Sequence, residues 1–153
     1  MKKIVLLLLL SISTMTYAQR NPFSNLIEKN GKIGIGTKSP DALLTVKGDI
    51  HTQEVRVDLE GAVAPDYVFE TYYKGFSTLN PDYEMLSLDA LQLFIEENHH
   101  LPNVPAASQL EKEGLNLKAF NLLLLEKIEE LTLYIIEQQK QIDDLKLKLE
   151  SKK

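Results

Sequence analysis

The chain has 153 residues, a formal charge of −5 and no cysteine. That length allows one domain of ordinary size. The acidic balance, with Lys and Glu interspersed and no basic block, speaks against a nucleic-acid backbone as partner, and the lack of cysteine removes disulfides, a lipid-attachment cysteine and thiolate metal sites.

The first 18 residues read as a secretory signal peptide: Lys2 and Lys3 precede the apolar run Ile4 to Leu10, and Thr16-Tyr17-Ala18 supplies a small-residue cleavage site before Gln19. The run is too short to span a bilayer, which takes about 20 apolar residues. The mature chain, cleaved near Ala18, is therefore expected to be secreted or at the cell surface, with no transmembrane segment. A small exported domain without disulfides usually needs oligomerisation to bury enough apolar surface. Residues 19–32 are polar and broken by Pro22 and Gly31, and read as a flexible lead-in.

Residues 33–60 read as β-rich. Ile33 and Ile35 alternate with glycine, Leu44 and Val46 with Thr45 and Lys47, and Val55, Val57 and Leu59 with Arg56 and Asp58. Turns are expected at Ser39-Pro40-Asp41 and Gly48-Asp49. The stretch "NGKIGIGTKSP" looks like a phosphate-binding loop, but Thr37 separates Gly36 from Lys38, Ser39 stands where a dinucleotide motif needs a third glycine, and a strand pattern rather than a helix follows. Gly34 and Gly36 instead suit a place where another backbone approaches closely.

Residues 61–115 read as a small α+β domain. Tyr67, Phe69, Tyr72, Tyr73, Phe76 and Tyr83 make up six of the chain's eleven aromatics, a clustering that suits core and interface, or alternatively a sugar-binding platform. Ser87 caps a helix from Leu88 to Asn98 with Leu91, Phe94 and Ile95 on one face, ended by His99, His100 and Pro102. "LPNVP" is a rigid connector, and a short helix from Ala106 to Glu113 closes at Gly114.

Residues 116–150 read as one long helix, capped at Asn116. A heptad places Asn121, Ile128, Ile135, Ile142 and Leu149 at a, and Leu124, Leu131, Gln138 and Leu145 at d. The expected oligomerisation seam is Leu124, Ile128, Leu131, Ile135, Gln138, Ile142, Leu145 and Leu149. Ile at a with Leu at d favours two strands, whereas Leu125 at e, Tyr134 at g, and Leu122, Leu123, Leu133 and Ile136 outside the seam widen the apolar surface, which suits more than two helices or helices covered by the preceding domain. A leucine-zipper transcription factor is excluded by the lack of a basic helix upstream, where Glu111 and Gly114 stand and no arginine.

Little points to chemistry. His51 stands alone, and adjacent His99 and His100 diverge at a helix end, so no metal site is expected. Ser39, Ser77, Ser87 and Ser108 sit in turn or cap contexts, outside any nucleophile elbow. No catalytic, cofactor-binding or metal-binding residue is assigned.

The ordered blocks "GKIGIGTKSPDALLTVKGDI", "APDYVFE", "LSLDALQLFIEENHHLPNVPAA" and "NLLLLEKIEELTLYIIEQQKQI" resemble the exported tail-fibre-like proteins of the Bacteroidetes, which are similar to the C-terminal intramolecular chaperone domain of phage tail spikes and fibres. The resemblance implies an α+β chain with a short β-rich N-terminal segment, a small α/β domain and a long C-terminal coiled-coil helix. It implies a homotrimer, structural or adhesive and not an enzyme, meeting a cell-surface glycan or protein. The alternative is a surface carbohydrate-binding module using the aromatic cluster Tyr67 to Tyr83. Phage relatives cut themselves with a serine just before an aspartate, but Pro65 stands before Asp66 here and carries no hydroxyl to attack the backbone. The exported chain is expected to give one uncleaved species beginning at or near Gln19 by mass spectrometry; a fragment starting at Asp66 would overturn the reading of that dipeptide.

Overall fold

A computed structural model describes residues 23–152; the signal-peptide reading lies outside the described residues. It is an α+β chain with a three-stranded sheet and four described helices, and divides into two compact units with the boundary between Val55 and Arg56.

The first unit holds β1 (Leu26–Lys29), β2 (Lys32–Ile35) and β3 (Leu44–Val46) in the order β1-β2-β3. β1 and β2 form an antiparallel hairpin whose two-residue loop is Asn30-Gly31. Both loop residues have positive φ, 55° and 75°, as a type I′ turn requires and as Asn-Gly most readily supplies. The Gly31 amide donates to Glu28 Oε1 at 2.8 Å. The expected lead-in thus contains a strand: Asn30-Gly31 is the signal that identifies it, and the polar composition around it obscures that signal.

β3 returns parallel to β2, with Ile33 opposite Leu44 and Ile35 opposite Val46, each pair eleven residues apart. Gly36 makes this short return possible. Its φ of 71° lies in the left-handed region, and a Cβ there would stand 2.6 Å from the Lys47 carbonyl oxygen. A Cβ on Gly34 would meet the Thr37 carbonyl oxygen at 2.5 Å, so backbone closeness does account for both glycines. Thr45, buried, organises the loop: its Oγ1 accepts from the amides of Asp41 and Ala42, both at 3.1 Å, and donates to Asp41 Oδ1 at 2.7 Å. That hydroxyl holds the Asp41 carboxyl below its ordinary pKa. No helix follows the glycine-rich stretch, which removes the remaining support for a phosphate loop.

The expected third strand is absent. Val55 and Val57 repeat the eleven-residue spacing once more, yet 53–59 lies outside any ladder and Val55, Val57 and Leu59 are exposed. Alternation alone does not make a strand, because the backbone groups need a partner.

The second unit contains α1 (Tyr67–Lys74), α2 (Leu88–Asn98), α3 (Ala107–Glu113) and α4 (Leu117–Glu150). Residues 61–115 thus carry three helices and no strand. α1 follows buried Pro65 and closes at Gly75, whose φ is 83° and whose amide bonds to the Thr71 carbonyl at 2.8 Å. Ser87 caps α2, accepting from the Ala90 amide at 3.2 Å, and His99 ends it in the left-handed conformation. Leu91 and Phe94 are half-buried, but Ile95 on the same expected face is exposed. Asn116 precedes α4 as expected, although its side chain makes no cap bond.

Gly36→Ala is expected to destabilise the first unit by about 1–3 kcal/mol, through left-handed strain and the clash with Lys47. Hydrogen exchange of the Lys47 amide, which bonds to the Ile35 carbonyl at 2.9 Å, reads this directly and should accelerate.

Candidate functional site

α4 is 34 residues long, about 50 Å at the α-helical rise, and α1 packs against it. Tyr67, Val68 and Leu133 form the buried apolar cluster, with Phe69, Tyr83 and Met85 packed against it. Around this cluster tyrosines reach α4 or are reached from it. The Tyr67 hydroxyl donates to Glu126 Oε2, the Tyr83 hydroxyl to Glu130 Oε1 at 3.0 Å and the Tyr72 hydroxyl to Glu137 Oε2 at 3.2 Å. In the opposite sense, Tyr134 of α4 donates to the Leu86 carbonyl at 2.6 Å. Tyrosine suits this task because it brings an apolar ring to the core and a donor to its margin.

The electrostatics under α1 are unbalanced. Glu126 and Glu129 are both buried, each 7% exposed, and Glu130 is half-buried. Lys127 is the cation among them, with Nζ 2.8 Å from Glu126 Oε1 and 2.9 Å from Glu130 Oε1. Burial alone would lower the Lys127 pKa, but its hydrogen bonds to the two carboxylates outweigh that and raise it. Burial first, and then the bonded or nearby carboxylate, push the Tyr67 and Tyr83 hydroxyls well above the ordinary range, so both remain donors at any physiological pH. Glu129 has no such support: its Oε2 is buried without a hydrogen bond, and desolvation, with the charges of Asp66 and Glu126, raises its pKa.

In the heptad written for α4, this occupied side is b, c and f. All seven acidic residues of the helix, Glu126, Glu129, Glu130, Glu137, Asp143, Asp144 and Glu150, fall at those positions. The opposite side is free of acid and open to solvent. Leu124, Ile128, Leu131, Ile135, Ile142, Leu145 and Leu149 are all exposed, Ile128 by 59%, and Gln138 is exposed among them. The two sides also account for part of the surplus apolar surface, because Leu133 at f is buried by its own chain, while Leu125 at e and Ile136 at b stay exposed.

The other candidates disperse. His99 is the end of α2; His100 has Nδ1 2.9 Å from the Leu101 carbonyl and its ring edge-on to Phe94. Among the described residues, no group of three His, Cys, Asp or Glu could hold a metal ion, and no helix is long and apolar enough to cross a membrane. Of the aromatic cluster, Tyr67 is buried and Tyr83 half-buried, so neither ring forms an open platform, whereas Tyr72, Tyr73 and Phe76 are exposed. No family profile matches the chain, and neither a curated protein nor a solved structure matches it.

Glu129 gives a pH test with a definite sign. Its folded-state pKa lies above the unfolded value, so the folded chain binds the proton more readily. The stability this contributes is present below the unfolded value, near 4.5, and lost as pH rises through the folded pKa. Glu129→Gln is therefore expected to raise Tm at neutral pH, with the gain shrinking toward zero at pH values below 4.5. Thermal melts across that range decide it, and a lowered Tm at pH 7 would mean that the carboxylate has a partner in solution.

Proposed function

We propose that the chain is an exported, non-catalytic structural or adhesive protein of tail-fibre type, held as a homotrimer by a coiled coil of α4. The observation that carries this is the exposed a/d stripe, apolar and free of acid along the helix, set opposite the side that the chain itself uses. A stripe of that length on a helix of about 50 Å suits a second helix of the same heptad. The likeness of the ordered sequence blocks to exported tail-fibre-like proteins supports the same reading, and supports three chains rather than two. Phe120 at g and Leu125 at e add apolar surface at the N-terminal end of the seam, which also suits three.

Copies in a parallel arrangement would bring g of one helix near the following e of its neighbour. The pairs are Phe120 with Leu125, Lys127 with Thr132, Tyr134 with Gln139, and Gln141 with Lys146; none joins like charges. On the opposite side, Glu126 and Glu137 accept from Tyr67 and Tyr72 of α1 and Glu130 accepts from Tyr83, in keeping with a scaffold. A carbohydrate-binding module would rest on Tyr72 and Tyr73, whose rings meet edge to face with centroids 4.9 Å apart; a glycan array on the purified protein tests it.

Replacing Ile128 and Ile135 together by Asp places two charges in the seam, each costing several kcal/mol if buried, on the order of the whole stability of a small domain. Analytical ultracentrifugation should find trimers for the native chain and monomers for the variant. A native chain that sediments as a monomer at micromolar concentration sinks the proposal, and a dimer sinks its stoichiometry.

A further inference from the structure

The exposed stripe of α4 is not bare along its whole length. Along Leu124 to Leu131, Leu101 and Pro102 of the turn 101–104 stand beside it as a wall. The Val104 amide bonds to the Leu101 carbonyl at 3.1 Å, Pro102 occupies the second position, and Asn103 has a φ of 64°. These are the marks of a type II turn, in which proline fixes one central φ and asparagine tolerates the other. Between this turn and α4 lies a groove of about 350 Å3, lined by Leu91, Leu101, Pro102, Leu124, Ile128 and Leu131, with Tyr134, whose hydroxyl is bonded to the Leu86 carbonyl, at its end. Lys127 and Glu130 border it, but they are paired with each other at 2.9 Å, so neither offers a free charge to a polar ligand.

We propose that this groove receives α4 of a second copy of the chain, making the Leu101–Val104 turn part of the contact between copies. The inference rests on the self-association of α4 proposed above, and adds to it a contact outside the heptad helix. The floor of the groove is Leu124, Ile128 and Leu131, which are seam positions, and the same stripe runs on past the wall to Ile135, Ile142, Leu145 and Leu149. A short peptide or a small apolar ligand would cover the first three and leave the other four in water. An occupant that covers both must be a long helix with apolar residues at the same spacing, and α4 has that length and pattern. Its a, d, e and g positions carry no acid, so the approaching helix brings no carboxylate to the apolar groove. Because the wall flanks only part of α4, the two directions of an incoming helix are inequivalent, and a register that the Ile and Leu seam leaves loose becomes fixed.

The lack of cysteine makes a single-site test available. Leu101 is 40% exposed in the isolated chain, so Leu101→Cys should react readily with a charged thiol reagent when the chain is monomeric. In the assembled protein the reaction should be at least about tenfold slower, because the thiol is then shielded by the neighbour's helix. Adding Ile142→Asp, a seam change outside the groove, should dissociate the copies and restore the fast rate. Sedimentation of the same samples reports assembly independently. Equal rates in assembled and dissociated chains overturn the groove contact while leaving the association of α4 standing. A chain that never assembles overturns both, and protection that appears only when another protein is added assigns the groove to a different occupant and also overturns it.

Discussion

Val68 and Leu133 are wholly shut off from water and belong to one cluster, where α1 lies against α4. Tyr67 and Pro65 are the other buried apolar side chains of the second unit, so its core has very few side chains. Such a core supplies little directional information, and the tyrosine hydroxyls provide it. Each tyrosine joins a ring at or near the apolar cluster to a fixed acceptor, which ties a residue of α1 or of the loop after it to one turn of α4. The carboxylates accept strongly because they are charged, and the arrangement loses little entropy because a tyrosine has few rotatable bonds.

The same carboxylates explain a feature that looks unfavourable in isolation. Glu126 and Glu130 share the Lys127 ammonium, and Glu129 Oε2 is buried without a hydrogen bond. Burying such a group costs free energy. With every acidic residue of α4 confined to b, c and f, however, the charge of an acidic chain is kept off the apolar stripe. A carboxylate moved from f or b to a, d, e or g would relieve the crowding of carboxylates and place a charge on or beside the apolar stripe. The crowded carboxylates on one side and the clean stripe on the other belong to one distribution of charge.

What could be read from the residues alone follows from how local each signal is. Ser87, Gly114 and the apolar periodicity of 117–150 place three helices because caps and 3.6-residue spacing act within a few residues. The apolar stripe along α4, which the structure leaves exposed, was legible for the same reason. The Asn30-Gly31 hairpin and α1, bounded by Pro65 and Gly75, were equally local but masked by polar and aromatic composition. Val55, Val57 and Leu59 failed in the other direction, since a strand needs a neighbour that alternation cannot specify. The occupied side of α4 was out of reach: Glu126, Glu129 and Glu130 look solvated on a helical wheel, and only the tertiary contact with Tyr67 and Tyr83 shows that they are covered.

The bonds from Tyr67, Tyr72 and Tyr83 to α4, and from Tyr134 back to Leu86, span 59, 65, 47 and 48 residues of sequence. A ribosome making this chain releases α1 long before it releases the helix on which α1 rests. Until Leu133 has emerged, Val68 has no partner, and the phenols have no acceptors. Closing loops of that length is entropically costly and slow relative to forming a helix, so the second unit is obliged to fold after its synthesis rather than during it. The α1 segment therefore stays unpacked until the part of α4 that carries Leu133 has been made, while the sheet of the first unit, whose pairings are all local, has no such wait.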